Sequence, residues 1–175
     1  MTDPDLREFA RRYTDAWCSG DPTWVAEHYA PDGSLTINGG TPSLGRDAIT
    51  EAARSFMTAF PDMQVLMDDL RGNEYHWTLV GTNSGPGGTG KRVRISGDEE
   101  WTIGENGLIS ASQGHFDEGE YARQIEYGVE LRTPRQRRPS NLFLEEAVVP
   151  GAVCGARPTA TGFGSRLSPT QHELT

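Results

Sequence analysis

The chain has 175 residues, 35% of them apolar, and a formal net charge of −9 from 16 basic and 25 acidic side chains. This length and composition predict one soluble globular domain with a buried core, too short for a second catalytic domain. The acidic balance and the lack of a lysine-rich stripe argue against nucleic acid or an anionic membrane as a partner, so we expect a small, neutral or weakly acidic ligand.

Nothing in the sequence resembles a signal peptide or an apolar span of 18 residues, and the two cysteines, Cys18 and Cys154, lie in segments of different character. We therefore expect a cytoplasmic protein with reduced thiols. Cys18 falls on the first predicted helix. Because no sequence feature marks it as reactive, we interpret it as a small packing residue rather than a nucleophile.

The first sixty residues predict three helices. The first ends near Gly20 and carries one apolar face, formed by Leu6, Phe9, Ala10, Tyr13, Ala16 and Trp17. Asp21 caps a second helix that has Pro22 at its first position. The stretch "APDG" then predicts a turn, and residues 34–38 predict a short strand. A third helix is predicted over residues 46–60, where a proline ends it.

Beyond this point the apolar residues recur with a period of two. Residues 63–71, 74–83, 91–104 and 108–116 read as strands joined by short turns and a glycine-rich loop. We predict an α+β fold in which three N-terminal helices pack over a curved, cone-shaped antiparallel sheet. A cone of this size encloses a pocket rather than a solid core.

The glycine-rich stretch "GPGGTGKR" falls one residue short of a phosphate-binding P-loop, because Arg92 stands where the motif needs Ser or Thr. A P-loop lysine also opens a helix, whereas the residues after Lys91 alternate like a strand. We therefore interpret this stretch as a hairpin loop and not as a nucleotide site.

Glu99 is the main candidate for chemistry. It interrupts an apolar strand face formed by Val93, Ile95, Gly97, Trp101 and Ile103, while the opposite face is polar. Desolvation on the apolar side raises the pKa of a carboxyl group and lets it stay protonated near neutrality. The alternative is a structural glutamate satisfied by a backbone amide or an arginine, and the sequence leaves both possibilities open.

The same periodicity indicates which residues line the cone. Trp77 and Asn83 share one face of their strand, and the small residues of the last strand, Ser112 among them, leave room for a ligand. The complete predicted lining is Trp17, Phe56, Phe60, Trp77, Asn83, Trp101, Ser112 and Phe116. Aromatic stripes of this kind also occur as plain core packing, which remains the alternative.

His115 and Asp117 lie two residues apart and suggest a catalytic dyad, but "DEGE" is also a capping box for a final helix, and we favour the cap for Asp117. His28 and His76 show no metal-ligand spacing, so we predict no metal. Residues 129–175 are rich in Arg, Pro and Gly without sustained periodicity and predict a disordered tail after a domain of residues 1–128.

The stretches "FARRYTDAWCSGDPTWVAEHYAPDGSLTING", "AFPD", "WTLVGTNSGPGGTGK" and "EEWTIGENGLI" together resemble the nuclear transport factor 2-like superfamily, and within it the SnoaL-like, polyketide-cyclase-related proteins. The resemblance covers residues 5–127. It implies the cone fold and a homodimer, but it implies less about activity, since the superfold hosts isomerases, cyclases, dehydratases, epoxide hydrolases and non-catalytic binders.

By resemblance to the ketosteroid isomerases, Tyr13 and Glu99 would form an oxyanion hole. The aspartate that abstracts the proton in those isomerases would fall near Ile37 or Asn38, and the acid–base aspartate of SnoaL-like cyclases at Gly114. The sequence thus lacks a main residue of each mechanism.

We therefore expect a cofactor-independent domain that binds a small apolar carbonyl or phenolic compound. If it is an enzyme, it would cyclise or isomerise that compound, with Glu99 and Tyr13 as hydrogen-bond donors and His115 or a bound water as proton acceptor. The alternative is a non-catalytic ligand-binding or dimerisation module. Arg94, Glu100 and Thr102 on the outer sheet face favour a homodimer.

Overall fold

The computed structural model describes residues 3–129. Its four helices are α1 Asp3–Cys18, α2 Pro22–Glu27, α3 Gly45–Ala59 and α4 Glu118–Tyr127. Its six strands are β1 Tyr29–Ile37, β2 Ser43–Leu44, β3 Gln64–Arg71, β4 Glu74–Thr82, β5 Arg92–Ile103 and β6 Ile109–Phe116. The predicted tail, residues 129–175, lies outside the described residues apart from Val129.

The six strands form a single curved sheet in the order β2-β1-β6-β5-β4-β3. Strands β3 to β6 make the expected antiparallel meander, but β1 pairs with β6 in parallel. Parallel neighbours need a long crossover, and here the chain between β1 and β6 contains α3 and the rest of the meander. The α+β prediction is confirmed, with one parallel pair in the sheet.

The core lies between the inner face of the sheet and the helices. Helix α1 contacts β3, and α3 contacts β1 and α2. The fully buried residues of this cluster include Ala10, Tyr13, Ala16, Val25, Tyr29, Ile49, Ala53 and Ile109. The apolar face predicted for the first helix therefore points inward, and it brings Tyr13 next to the sheet.

Side-chain caps begin helices α2 and α4. The Asp21 carboxylate accepts a hydrogen bond from the Thr23 N–H at 2.9 Å, and the Asp117 carboxylate accepts one from the Glu120 N–H at 2.8 Å. Both caps agree with the sequence. Glu120 does not reach back as a capping box requires, because its carboxylate binds Arg123 and Gln124 instead.

Strand β1 begins earlier than expected, at Tyr29, and takes in the predicted "APDG" turn as an irregular stretch. The pairing of β1 with β6 shifts register between Tyr29 and Ser34. A Cβ atom at Gly33 would lie 2.9 Å from the Ile109 carbonyl oxygen, so glycine lets the bulged strand approach β6. The turn signal therefore marks a bulge that keeps Tyr29 inside the core.

The glycine-rich loop joins antiparallel strands β4 and β5, and Lys91 does not open a helix as a P-loop requires. The Asn83 side-chain oxygen accepts a hydrogen bond from the Thr89 N–H at 2.9 Å, and the Thr89 hydroxyl donates to the Ile125 carbonyl at 2.6 Å. The loop is thus held against α4. None of the helices within residues 3–129 is long and apolar enough to cross a membrane.

Candidate functional site

A small apolar pocket lies between the inner face of the sheet and helices α1 and α3. Its volume is about 50 Å³. The lining residues are Trp17, Leu35, Ile37, Phe56, Val65, Tyr75, Trp77, Leu79, Glu99, Gly114 and Phe116. The partly buried residues of this lining, Trp17, Ile37, Phe56, Trp77 and Phe116, border the mouth of the pocket. Glu99 carries the one carboxyl group in this lining.

Glu99 sits on the buried face of β5, as the alternation predicts, and is 6% exposed. Its Oε2 atom accepts hydrogen bonds from Tyr13 Oη at 3.1 Å, Trp101 Nε1 at 2.9 Å and Ser112 Oγ at 2.9 Å. Its Oε1 atom has one longer contact, 3.3 Å from the Tyr13 hydroxyl. One oxygen is therefore saturated by the protein, and the other keeps capacity for a ligand.

Burial raises the pKa of Glu99 above its ordinary value, because desolvation penalises the charged form. The donors from Trp101, Ser112 and Tyr13 oppose this effect by stabilising the carboxylate, but they do not outweigh it. The pocket thus contains a carboxyl group that holds its proton to a higher pH than a solvated glutamate.

Tyr13 supports Glu99 from α1. Its hydroxyl also hydrogen-bonds the Tyr29 hydroxyl at 2.9 Å, and both side chains are fully buried. Desolvation is the largest cause that raises the pKa of Tyr13 and of Tyr29 well above 10, and the nearby Glu99 carboxylate adds to it. Both phenols therefore remain protonated and able to donate.

Aromatic rings fix the position of Tyr13. Its ring packs edge-on against Tyr75 and Trp101, with centroids 5.7 and 5.2 Å away, and Tyr75 stacks on Trp101 at 4.9 Å. The Tyr75 hydroxyl is itself bonded to Thr14 at 2.7 Å. This packing holds the donors in place around Glu99 before any ligand arrives.

Of the eight residues predicted to line the pocket, the structure places Trp17, Phe56, Trp77 and Phe116 on its wall. The other four lie elsewhere. Trp101 and Ser112 are buried behind Glu99 as its donors, and Phe60 packs into a neighbouring core cluster. Asn83 lies beyond the end of β4, where its side chain organises the glycine-rich loop.

The structure separates His115 from the pocket. Successive side chains of β6 point to opposite faces, so Gly114 faces inward and His115 outward, where its side chain is 56% exposed. There it lies 3.6 Å from the Asp98 carboxylate. His115 therefore lies outside the lining of this pocket, and its role as a proton acceptor stays a prediction.

Two positions that carry the base in related enzymes do lie on the pocket wall. Ile37 and Gly114 both line it, close to Glu99, and neither side chain can accept a proton. Asn38 instead points its amide oxygen at the Phe116 N–H, 2.9 Å away. The pocket thus combines one acidic group with apolar surface where related enzymes have a base.

Sequence reasoning missed Tyr29, because the "APDG" signal suggested that the chain turned away from the sheet there. It also missed a feature that no pattern reveals. The buried indole nitrogen of Trp77, Nε1, has no hydrogen-bond partner among the described residues, although Trp77 lines the pocket.

The fold is similar to several solved structures. The epoxide hydrolase/cyclase-like enzyme SalBIII, which has a role in pyran ring formation in the polyether salinomycin, superposes with a TM-score of 0.57 at 21% identity, over 69% of this chain and 97% of that one. A proposed SnoaL-like polyketide cyclase from Jannaschia sp. CCS1 superposes with a TM-score of 0.60 at 16% identity, over 70% of this chain and 92% of that one.

A ketosteroid isomerase-like protein from Catenulispora acidiphila DSM 44928, in complex with trimethylamine, gives a TM-score of 0.57 at 15% identity, over 67% of this chain and 92% of that one. No curated protein matches the sequence. The sequence model of the SnoaL-like domain matches residues 10–112, which run from the middle of α1 to the middle of β6. The chain therefore belongs to the SnoaL-like domain family, within the nuclear transport factor 2-like superfamily.

Proposed function

We propose that this domain binds a compact, mostly apolar carbonyl or phenolic compound, and that Glu99 recognises the oxygen of that compound. One observation carries the proposal: a buried carboxyl group of raised pKa lines an otherwise apolar pocket and has one oxygen largely free of protein donors. Burying such a group is costly, and a ligand that bonds to it offsets part of the cost.

The state of Glu99 that suits this role is the protonated one. The proton belongs on Oε1, since Oε2 already accepts from Tyr13, Trp101 and Ser112. A neutral carboxyl group then donates from Oε1 to a carbonyl or phenol oxygen. Tyr13 does not line the pocket, so its role is to hold Glu99 rather than to contact the ligand.

Among the possible reactions, this arrangement favours acid-assisted ring closure. A donor at the carbonyl oxygen activates the carbon for attack by a nucleophile that the substrate itself carries. Isomerisation also needs a base beside the substrate carbon. Since no second carboxylate and no histidine among residues 3–129 line the pocket, a bound water would have to take that proton.

The size of the pocket restricts the ligand. Pockets for drug-sized molecules measure about 300–1,000 Å³, whereas this one measures about 50 Å³. A cavity of about 150 Å³ holds a single aromatic ring. Even a one-ring compound therefore requires the partly exposed side chains at the mouth, Trp17 and Phe56 among them, to swing outward.

Titration of the full chain with cyclohexanone and phenol, followed by tryptophan fluorescence, tests the proposal. We expect saturable binding that weakens with rising pH in the wild type, as Glu99 loses its proton, and stays constant in Glu99→Gln, whose side-chain N–H₂ donates at every pH. Glu100→Gln is the matched control, because Glu100 is the exposed neighbour on the outer face. Equal affinity in wild type and Glu99→Gln at every pH would refute the assignment of Glu99 as the proton donor to the ligand oxygen.

The absence of a base from the pocket lining favours a second candidate, a non-catalytic binding module. The two functions differ in one measurement. A cyclase turns over a hydroxy-ketone and shows a pH–rate profile that follows the protonation of Glu99, whereas a binding module holds the compound unchanged.

The homodimer also remains a proposal. Arg94, Glu100 and Thr102 are exposed on the outer face of β5, and together they give a polar surface of mixed charge that suits a partner copy. Sedimentation of the full chain tests it, with Arg94→Glu and Thr102→Arg expected to shift a dimer towards monomer. A wild-type chain that sediments as a monomer at all concentrations removes the proposal.

A further inference from the structure

The outer face of the sheet carries its charges in a graded order along β5. The side chains that this strand presents there are, in order, Arg92, Arg94, Ser96, Asp98 and Glu100. Alternate residues of a strand share one face, so all five lie on the side of the sheet away from the pocket. Four of them are exposed and Asp98 is partly exposed. The face is therefore basic at one end, acidic at the other and uncharged between.

An uncharged row of side chains crosses the sheet at the centre of this gradient. Leu66 of β3 pairs with Thr78 of β4, and Thr78 pairs with Ser96 of β5. The Thr78 and Ser96 hydroxyls hydrogen-bond each other at 2.8 Å, and Leu66 is 46% exposed although it is apolar. Another surface can cover this row without burying a charge, and it would remove the exposed leucine from water.

The charges are placed symmetrically about the row. Arg94 and Asp98 each lie two residues from Ser96, which is about 7 Å along the strand, and Arg92 and Glu100 each lie four residues from it. In a second copy laid face to face with an antiparallel β5, Arg94 meets the partner's Asp98 and Arg92 meets the partner's Glu100. A parallel arrangement would place arginine on arginine and carboxylate on carboxylate, which costs free energy.

The inner pair of charges is available to another chain. Among residues 3–129, the Arg94 guanidinium forms no ion pair, and the Asp98 carboxylate has only the contact of 3.6 Å with His115. Arg92, by contrast, already interacts with the nearby Asp62 carboxylate and helps to lower its pKa. We therefore expect Arg94 and Asp98 to contribute more to pairing than the outer charges.

We propose that two copies of this chain pack through their outer sheet faces with antiparallel β5 strands, and that the two-fold axis runs along the row of Leu66, Thr78 and Ser96. Arg94 then pairs with the partner's Asp98 on both sides of the axis. This inference rests on the proposed homodimer and specifies its register. A two-fold interface must be complementary to itself, and the graded charges of β5 meet that condition. Face-to-face sheets with nearly aligned strands are a common packing.

Sedimentation of the full chain at pH 8, where histidines are neutral, tests the register. It compares wild type, Arg94→Asp, Asp98→Arg and an equimolar mixture of these two variants. Each variant alone places like charges on both sides of the axis. In the mixture, the new aspartate meets the new arginine on one side, and the native pair is kept on the other. Arg54→Asp is the matched control, because Arg54 is an exposed arginine on helix α3.

We expect the dissociation constant of the wild-type dimer to rise about tenfold or more in Arg94→Asp and in Asp98→Arg. The mixture should recover dimers with a dissociation constant within about threefold of the wild type, since the two charge reversals compensate each other. Arg54→Asp should leave the dimer unchanged. Urea unfolding of each variant checks that the surface substitutions preserve the fold.

Cross-linking checks the axis without changing any charge. A residue on a two-fold axis faces its own copy, so Ser96→Cys should give a covalently linked dimer with a short bis-maleimide reagent. Thr102→Cys, near the end of the same face, should give no more linkage than the wild type. The wild type measures the background from Cys18 and Cys154, which all three chains share.

A wild type that sediments as a monomer at all concentrations would refute both the homodimer and its register. If the wild type is a dimer, failure of the two variants to pair in the mixture would refute the register and leave the homodimer intact. Absence of linkage through position 96 would do the same. A dimer that neither single variant weakens would mean that the copies meet through another surface.

Discussion

The pH dependence of stability offers a sharp test of the environment assigned to Glu99. Burial raises the pKa of this carboxyl group above 4.5 in the folded chain, whereas the unfolded chain returns it to water. Between those two pKa values the folded state holds a proton that the unfolded state has released. The free energy of unfolding must therefore fall as pH rises through this window.

The expected change in the free energy of unfolding with pH is that of a single titrating carboxyl group. Inside the window the slope approaches about 1.4 kcal/mol per pH unit, and it flattens once the folded carboxyl group is also ionised. Glu99→Gln removes this slope. The glutamine carbonyl oxygen can take the three donors of Oε2, namely Tyr13, Trp101 and Ser112, so below pH 4.5 the variant should lie within about 1 kcal/mol of the wild type.

Urea unfolding followed by tryptophan fluorescence, from pH 4 to pH 8, measures the difference in the free energy of unfolding between wild type and Glu99→Gln. Other titrating groups contribute equally to both chains and cancel in that difference. We expect the free energy of unfolding of the variant to rise relative to that of the wild type as pH rises. The free energy of unfolding of Glu100→Gln should follow that of the wild type at every pH, because Glu100 is exposed.

Two results would refute this reasoning. Parallel curves for wild type and Glu99→Gln would mean that the pKa of Glu99 is the same in the folded and unfolded chains. If the wild type instead becomes more stable than the variant as pH rises, the donors of Oε2 hold the pKa of folded Glu99 below 4.5. In either case Glu99 would be a structural carboxylate and not a proton donor.

Three further predictions concern neighbouring residues. His115→Ala should leave ketone binding unchanged in a fluorescence titration, and a several-fold loss would contradict its place on the outer face. Gly97→Ala should lower the urea unfolding free energy by about 1–3 kcal/mol, because the new Cβ meets the His115 carbonyl oxygen and the Trp77 ring; a neutral effect would mean that both can shift at no cost. Asp117→Ala should cost about 1 kcal/mol in the same assay through loss of the bond from Glu120 N–H, and an unchanged stability would show that the cap contributes little.

The sequence predicts well where local rules decide. Strand β5 alternates without a break from Val93 to Ile103, so the inward position of Glu99 follows from its parity alone. The Asp117 cap follows equally from residues within one helical turn. The opposite parity of β5 would expose Val93 and Trp101 to water, and a helix α4 without Asp117 would leave the Glu120 N–H unpaired.

Prediction fails where the outcome depends on distant residues. Nothing local to residues 29–33 indicates that this segment pairs with β6 in parallel, some eighty residues later, and so draws Tyr29 towards Tyr13. Parity also places Trp77 and Trp101 on the same inner face without distinguishing them. The stacking of Trp101 on Tyr75 and the missing side chain at Gly97 decide which indole binds Glu99 and which lines the pocket.

The pocket gives an argument about function that the family alone does not. Related enzymes place a carboxylate base at positions that correspond to Ile37 or Gly114, and here those positions make the wall apolar. An apolar wall raises the desolvation penalty on Glu99 and favours its neutral, donating form, with no second carboxylate in the described lining to contribute. Loss of the base and retention of the acid are thus physically consistent, and they favour recognition or activation of a carbonyl oxygen over abstraction of a proton from carbon.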